Sequence, residues 1–350
     1  HVLNWLRSYL SERRQCVKVA DMTSDWGCVT CGVPQGSILG PLLFVLYVND
    51  IHRVLKYCRY HMYADDLQIY LHFDVNSIND CINRINDDIK NIVLWCGNHG
   101  LTLNHAKTKP ILICHTRLRN FLDPNTIESL IIDGTTLPYY ETVKNLGLTF
   151  NSNLTWTEAV RDICKKVFAS VHSLKRLQRF LPKRIKLLLT KSLVLPHFNY
   201  CNSVMNDMTV ALCEKLQRTE NYCLRYVYDV RRDQHITPYY IQGNILKLKE
   251  QRSIKILNLV HSILQSGFPK YFSNYFQFIS HDSVRSTRSG SRTLRMPQHR
   301  TAVFDRSFQV MGCRLWNSLP PEITSIEGDR RFVAALRCLY HERLVGAGPS

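Results

Sequence analysis

The chain has 350 residues, 45% hydrophobic and 21% charged, enough for two domains with a core each. Its net charge of +17 lies wholly beyond residue 150: residues 1–150 carry 14 Lys and Arg against 14 Asp and Glu, and residues 151–350 carry 31 against 14. No apolar run reaches membrane-spanning length, so no membrane partner is expected, and the one-sided basic half points to a polyanion. The plainer alternative for that half is a solvated face that keeps a helical domain soluble. The 13 cysteines are odd in number and scattered through apolar segments, as reduced thiols of an intracellular protein in nucleus or cytoplasm would be. Cys28 and Cys31 have CxxC spacing, but no second pair or paired histidines complete a zinc site.

His1 leads directly into the apolar pattern Val2, Leu3, Trp5, Leu6, which reads as a fragment of a longer protein entered in mid-pattern. Trp5 to Leu10 has helical spacing, and Gln15–Val19 alternates as a strand. A Gly- and Pro-rich loop, Gly32–Pro41, precedes an apolar run, Leu42–Val48, expected as a buried helix. Cys58–Tyr63 and Leu67–Leu71 form a hairpin pattern. Ser77 followed by Asp80 resembles a capping box. The helix it starts carries the stripe Ile78, Cys81, Ile82, Ile85, Ile89, Ile92, Val93 and Cys96, and Gly97 or Gly100 stops it.

Strands are expected at Pro110–Cys114 and Leu130–Ile132, the latter turning at Asp133-Gly134 into Thr135–Leu137. From Thr157 the pattern is helical only. Val160, Ile163, Val167, Val171, Leu174 and Leu177 share one face. Lys165, Lys166, Lys175, Arg176 and Arg179 crowd the same helix, and Lys183, Arg184, Lys186 and Lys191 follow. Further helices fall near 209–228 and 248–266. Residues 281–300, with Arg285, Arg288, Arg292 and Arg295, read as a mobile basic loop before a last compact piece, Phe304 to Leu344.

Two segments carry chemistry. Tyr63, Ala64, Asp65 and Asp66 occupy the hairpin tip, where tight turns favour Gly or Asn and adjacent carboxylates repel each other. A local rule broken twice at one spot marks a functional site, and a pair of divalent cations would offset both costs. Alone, an Asp-Asp pair would be a solvated turn. The second segment is Gly32–Phe44, in which Gly36 and Gly40 permit close backbone approach while Pro34 and Pro41 stiffen the loop before a helix N-terminus.

Together, Gly32–Phe44, Tyr47–Ile51 and Tyr63–Asp66 resemble motifs B and C of reverse transcriptases, in wording similar to non-LTR retrotransposons (LINEs) of the jockey type. The lead-in Trp5–Gln15, the motif D-like Leu103, Asn104, Lys107 and Thr108, the motif E-like Asn145–Phe150, and the tail residues Leu315–Pro320 extend the likeness along most of the chain. The resemblance implies RNA-directed DNA polymerase activity by two-metal nucleotidyl transfer, with two Mg2+ ions, or Mn2+ in their place. The partners would be an RNA template, a DNA primer or target and deoxynucleoside triphosphates, with no sign of a protein partner.

By the same resemblance Asp65 and Asp66 are the metal-binding catalytic carboxylates, and Tyr63 and Ala64 flank the primer terminus. Gln35, Gly36 and Ser37 contact template and nucleotide, Lys107 assists departing pyrophosphate, and Leu146 and Gly147 form the primer grip. Lys109, two residues on, leaves an ordinary surface lysine as the alternative for Lys107. The motif A aspartate, the third metal ligand, belongs before the Trp5 segment and has no match here, so the chain by itself is expected to be inactive. The expected fold is α+β: an incomplete palm at 1–150 (motifs B to E), a mainly helical thumb and connecting region at 151–280, and a basic C-terminal region at 281–350. Lys165, Lys166, Lys175, Arg176, Arg179, Lys183 and Arg184 are expected to bind nucleic acid. The alternative function is a non-catalytic nucleic-acid-binding remnant of a retroelement.

Overall fold

The computed structural model describes residues 1–123, 126–279 and 292–346, which form two compact units, His1–Glu141 and Thr142–Ser350. The first unit opens with α1 (Val2–Leu10) and four short strands, β1 (Arg13–Gln15), β2 (Lys18–Val19), β3 (Met22–Thr23) and β4 (Gly27–Val29). β1 pairs with β4 and β2 with β3, both antiparallel. The strand expected over Gln15–Val19 is therefore split. The chain reverses just after Val19, with Ala20 at φ +51°, and the ribbons are open on both faces, so the alternation has no core to serve.

Next come α2 (Leu39–Val48), a 3-10 turn (Ile51–Val54), β5 (Arg59–Tyr63), β6 (Asp66–Tyr70) and the long α3 (Ile78–Asn98). α2 is helical as expected but not buried. Val48 and Gly40 are enclosed, Phe44 is half-buried, and Leu42, Val45, Leu46 and Tyr47 are exposed. A helix apolar all round needs cover on every side, and the cluster of Val48, Ile51, Ile92 and Trp95 covers one.

α3 organises this unit through the stripe read from the sequence, with Trp95 added to it. The capping box does not form: the Ser77 hydroxyl donates to the Asp74 carbonyl at 3.3 Å, because a 3-10 turn over Val75–Ser77 runs straight into the helix. After α4 (Thr116–Arg119), β7 (Leu130–Ile132) and β8 (Thr135–Leu137) form the expected hairpin, with Asp133 and Gly134 both at positive φ. Pro110–Cys114 is no strand. Its cross-chain backbone bond runs from the Tyr140 N–H to the Pro110 carbonyl, while Leu112 and Cys114 pack against Ile78 and Ile82. The architecture is mixed α+β, but among the described residues every sheet has two strands, and no continuous palm sheet forms.

The second unit begins with a hairpin, β9 (Thr142–Asn145) and β10 (Leu148–Asn151), then turns helical. α5 (Thr157–Arg176), α6 (Lys183–Leu189), a π turn (Thr190–Val194), α7 (Pro196–Asn199), α8 (Val210–Tyr228), α9 (Thr237–Gln242) and α10 (Leu248–Ser266) follow. The last four are α11 (Ala302–Asp305), α12 (Phe308–Asn317), α13 (Pro321–Thr324) and α14 (Asp329–Gly346). Val160, Val167 and Val171 of α5 are wholly buried in one cluster with Cys223, Leu224 and Val227 of α8, although Leu177, the last residue of the expected stripe, is exposed. A second cluster joins Leu257 and Val260 of α10 to Trp316 of α12 and to Phe332 and Leu336 of α14.

Leu294 is fully buried in that second cluster and bridges to Phe278, so the expected mobile loop does not include residues 292–300. Arg285 and Arg288 lie outside the described residues. His261 is buried too, its two ring nitrogens facing Asp329 Oδ1 at 2.7 Å and the Ile326 carbonyl at 2.9 Å, its ring stacked on Phe332.

A polar knot joins α8, α9 and α10. The carboxylate of Glu220, wholly buried, accepts from the Tyr240 hydroxyl (2.9 Å), Gln217 Nε2 (3.1 Å) and Gln251 Nε2 (3.0 Å). Burial pushes the Glu220 carboxyl up to about 7, with the three donors pulling the other way. Between its ordinary value of 4.5 and about 7 the folded chain holds a proton that the unfolded chain has lost. This group therefore lowers stability as pH rises through that window and levels off above it, by about 3 kcal/mol in all. Urea unfolding of wild type and Glu220→Gln at pH 5 and pH 8 checks this: the wild type should lose more stability across the interval than the variant.

Candidate active site and nucleic-acid interface

The catalytic candidates sit on the β5–β6 hairpin. Register pairs Tyr63 with Asp66 and Met62 with Leu67, so the turn is two residues, Ala64 and Asp65. Met62, Leu67 and Ile69 pack against the α2–α3 cluster, and alternation places Tyr63 and Asp66 on the opposite, open face. Ala64 has φ +53°, a left-handed backbone that costs an L-residue about 1–2 kcal/mol. Strain is thus stored at the tip that the sequence singled out. The Asp65 and Asp66 side chains are exposed and have no hydrogen-bond or ion-pair partner among the described residues, and Tyr63 is 68% exposed. Among the described residues the outer edges of β5 and β6 pair with no other strand, so the hairpin stands as a two-stranded sheet by itself.

Sequence reading missed the residue that fixes this hairpin's root. Asp88 of α3 is wholly buried, and its carboxylate accepts from the backbone N–H groups of Lys56 (2.8 Å), Tyr57 (3.0 Å) and Cys58 (2.7 Å), the three residues before β5. Burial pushes its pKa up, yet the three N–H donors and the Cys58 thiol outweigh that and hold it below the usual carboxylate value. The signal was there: Asp88 interrupts the stripe between Ile85 and Ile92. Asp88→Ala should lower the stability of the first unit by about 2–4 kcal/mol, because three amides lose a charged acceptor. Thermal melting would show it, and Asp88→Asn should recover part of the loss.

The loop before α2 is tightly tied. The Ser37 hydroxyl donates to the Pro34 carbonyl (2.7 Å) and accepts from the Gly40 N–H (3.0 Å), so it caps α2 internally. A Cβ on Gly40 would lie 3.0 Å from that hydroxyl and 3.1 Å from the Pro34 carbonyl oxygen, so a larger residue would have to push the loop back by a few tenths of an ångström. Gly36 has φ +80°, and Gln35 and Gly36 are exposed on the loop's outside.

Lys107 follows a turn in which the Asn104 side chain accepts from its backbone N–H at 3.1 Å. Its ammonium is exposed and has no partner among the described residues, whereas Lys109 lies over the Tyr140 ring at 5.2 Å. Leu103 packs into the same cluster as Met62 and Leu67, so the Lys107 segment and the hairpin share one core.

The other candidates belong to the second unit. Leu146 and Gly147 form the β9–β10 turn, at φ +45° and +81°. The Tyr200 hydroxyl donates to the Leu146 carbonyl, and the Tyr200 ring lies 3.5 Å from where a Gly147 Cβ would be. Beside this turn a cleft of about 220 Å3 is lined by Lys144, Gly147, Thr149, Lys166, His197 and Tyr200. Burial, then the Lys166 charge, holds the His197 imidazole below its ordinary value.

Lys165, Lys166, Lys175 and Arg176 project from the outer side of α5, with Arg179, Lys183 and Arg184 exposed after them. Lys175 and Lys183 lie over the rings of Tyr222 and Tyr228 at 4.6 and 5.4 Å. Lys186 does not join that face. It is buried and pairs with Asp229 at 3.0 Å, because α6 turns it toward the end of α8.

The carboxylate oxygens of Asp65 and Asp66 suit a hard cation such as Mg2+, but no group of three His, Cys, Asp or Glu capable of holding a metal occurs among the described residues. Asp65 and Asp66 are two such carboxylates, one fewer than the smallest group of that kind. Cys28 and Cys31 are free and exposed.

The family model described as "Reverse transcriptase (RNA-dependent DNA polymerase)" matches residues 1–150, and these residues carry a reverse-transcriptase domain. The chain is related to the RNA-directed DNA polymerases of non-LTR retrotransposons. It is 26% identical over 256 residues to the "Probable RNA-directed DNA polymerase from transposon BS" of Drosophila melanogaster, covering 69% of this chain and 26% of that protein. To the corresponding protein "from transposon X-element" of the same organism it is 27% identical over 229 residues, 63% of this chain and 24% of that one. To the "RNA-directed DNA polymerase from mobile element jockey" of Drosophila melanogaster it is 22% identical over 165 residues, 45% and 17% of the two chains. The chain spans about a quarter of the length of the first two of these relatives. No helix among the described residues is long and apolar enough to cross a membrane.

Proposed function

We propose that this chain is the motif B to E portion of a non-LTR retrotransposon reverse transcriptase together with its thumb, which copies RNA into DNA by two-metal nucleotidyl transfer. The observation that carries this reading is the adjacent, exposed carboxylate pair at a strained hairpin tip, its side chains without a partner among the described residues. Asp65 and Asp66 would hold one side of the Mg2+ pair, whose chemistry is to activate the attacking primer oxygen and stabilise the leaving one. Tyr63 and Ala64 flank the primer end, Gln35, Gly36 and Ser37 border the template and nucleotide, and Leu146 and Gly147 grip the primer backbone. Lys107, its ammonium unengaged, is placed to give charge or a proton to departing pyrophosphate, a role that the ring-engaged Lys109 fits less well.

With two carboxylates instead of three, the 350 residues by themselves should bind nucleic acid without extending it. The exposed cations of α5 fit equally a second reading, a non-catalytic nucleic-acid-binding remnant of a retroelement. Primer extension on an RNA template with Mg2+ tests the first statement. Extension above that of the Asp65→Ala, Asp66→Ala double variant would overturn it.

A further inference from the structure

Between α10 and the bridge at Phe278 runs a segment, residues 268–279, with six aromatic rings and no acidic residue. Two rings serve the core. Phe276 is buried, and Phe272 packs on Phe308 at 5.4 Å. The other four face outward: Phe268 is 61% exposed, Tyr271 71%, Tyr275 40% and Phe278 44%.

The exposed tyrosines are held in place. The Phe272 ring touches Tyr271 at 4.5 Å on one side and Tyr275 at 5.1 Å on the other, and Gln309 Nε2 donates to the Tyr275 carbonyl. Neither tyrosine hydroxyl has a partner among the described residues. Cations frame the rings. Lys270 lies within the segment, the Arg295 N–H donates to the Gln277 carbonyl at 2.8 Å, and Arg306 ends α11 just before α12, the helix that carries Gln309. All three are exposed, while the nearby Asp305 is neutralised by Arg314 and His299.

We propose that this face is a stacking platform for single-stranded nucleic acid, separate from the polymerase hairpin and from the basic face of α5. Rigid, solvent-facing rings offer π-faces to unpaired bases of any sequence, and the surrounding cations attract the backbone that joins them. A duplex hides its base faces and gains only the charge. Four large rings left in water, with the rings beside them already filling the core, are not explained by packing. The absence of any carboxylate in the segment fits a polyanion better than a basic protein partner. The proposal rests on the chain being a nucleic-acid-binding protein.

The test uses the whole 350-residue chain, with fluorescence anisotropy on a labelled 12-nucleotide single strand and on a duplex of the same sequence. Tyr271→Ala with Tyr275→Ala should bind the single strand about tenfold or more weaker, with the salt dependence and the duplex affinity unchanged. Tyr271→Phe with Tyr275→Phe should keep wild-type affinity, since it keeps both rings. Unchanged single-strand affinity in the Ala pair would overturn the proposal and leave the face to a protein partner. Equal loss for single strand and duplex would overturn it as well. Failure of the wild-type chain to bind either probe would instead sink the nucleic-acid reading on which it rests.

Discussion

Asp65→Ala or Asp66→Ala, each alone, should abolish RNA-templated primer extension in a polypeptide whose preceding segment supplies a third carboxylate. The loss should be on the order of 10^3-fold or more, since groups that act as one catalytic unit fail together. Expression and melting temperature should hold. Both side chains are exposed and have no partner among the described residues, so truncation leaves no buried donor stranded and opens no cavity. Asp66→Ala also removes a charge repulsion at the tip, and a small gain in stability beside the loss of activity would separate a metal-binding role from a structural one. Retained extension in either variant would move the metal site elsewhere.

Nucleic-acid binding by the whole chain should fall steeply and log-linearly with salt, with little sequence preference. Seven exposed cations lie between Lys165 and Arg184. If most of them meet phosphates, affinity for duplex DNA drops by about 10^3-fold or more between 50 and 200 mM salt, as condensed counterions are released. Changing Lys165, Lys166, Lys175 and Arg176 together to Glu should weaken binding to every sequence tested and flatten the slope by about four. These residues lie on the solvent side of α5, opposite Val160, Val167 and Val171, so the fold should tolerate the change. A slope near zero in the wild type, or an unchanged slope in the variant, would make the charges a solvated face and nothing more.

How far the sequence could be read depended on what each pattern had to face. α3, α5, α8 and α10 were legible because their apolar stripes meet a core on one side. The β7–β8 turn was legible because Asp133-Gly134 fits its backbone. The strand over Gln15–Val19 misled because two-residue alternation carries weight only where one face is covered. α2 misled differently: its composition matches a helix covered on all sides, and within its own unit it finds cover on one.

At the site, the carboxylate pair stood out as a violation of local rules, and the loop glycines as places where the backbone can approach closely. Asp88 did not, since a single charge within a stripe looks like an ordinary imperfection until its three amide partners are seen. Lys186 shows the reverse. It counted among the basic residues, and only tertiary structure reveals a lysine folded inward onto Asp229.

The Asp88 clamp has a mechanical consequence. Three successive amides at the root of the hairpin are fastened to α3, while the outer edges of both strands meet no further strand among the described residues and the strained turn lies at the far end. The hairpin is a cantilever with the carboxylates at its tip, where any bending is largest. Neighbouring strands, a metal pair or a primer end could each damp it, and each would register at residues 63–66 before residues 56–58 felt any change.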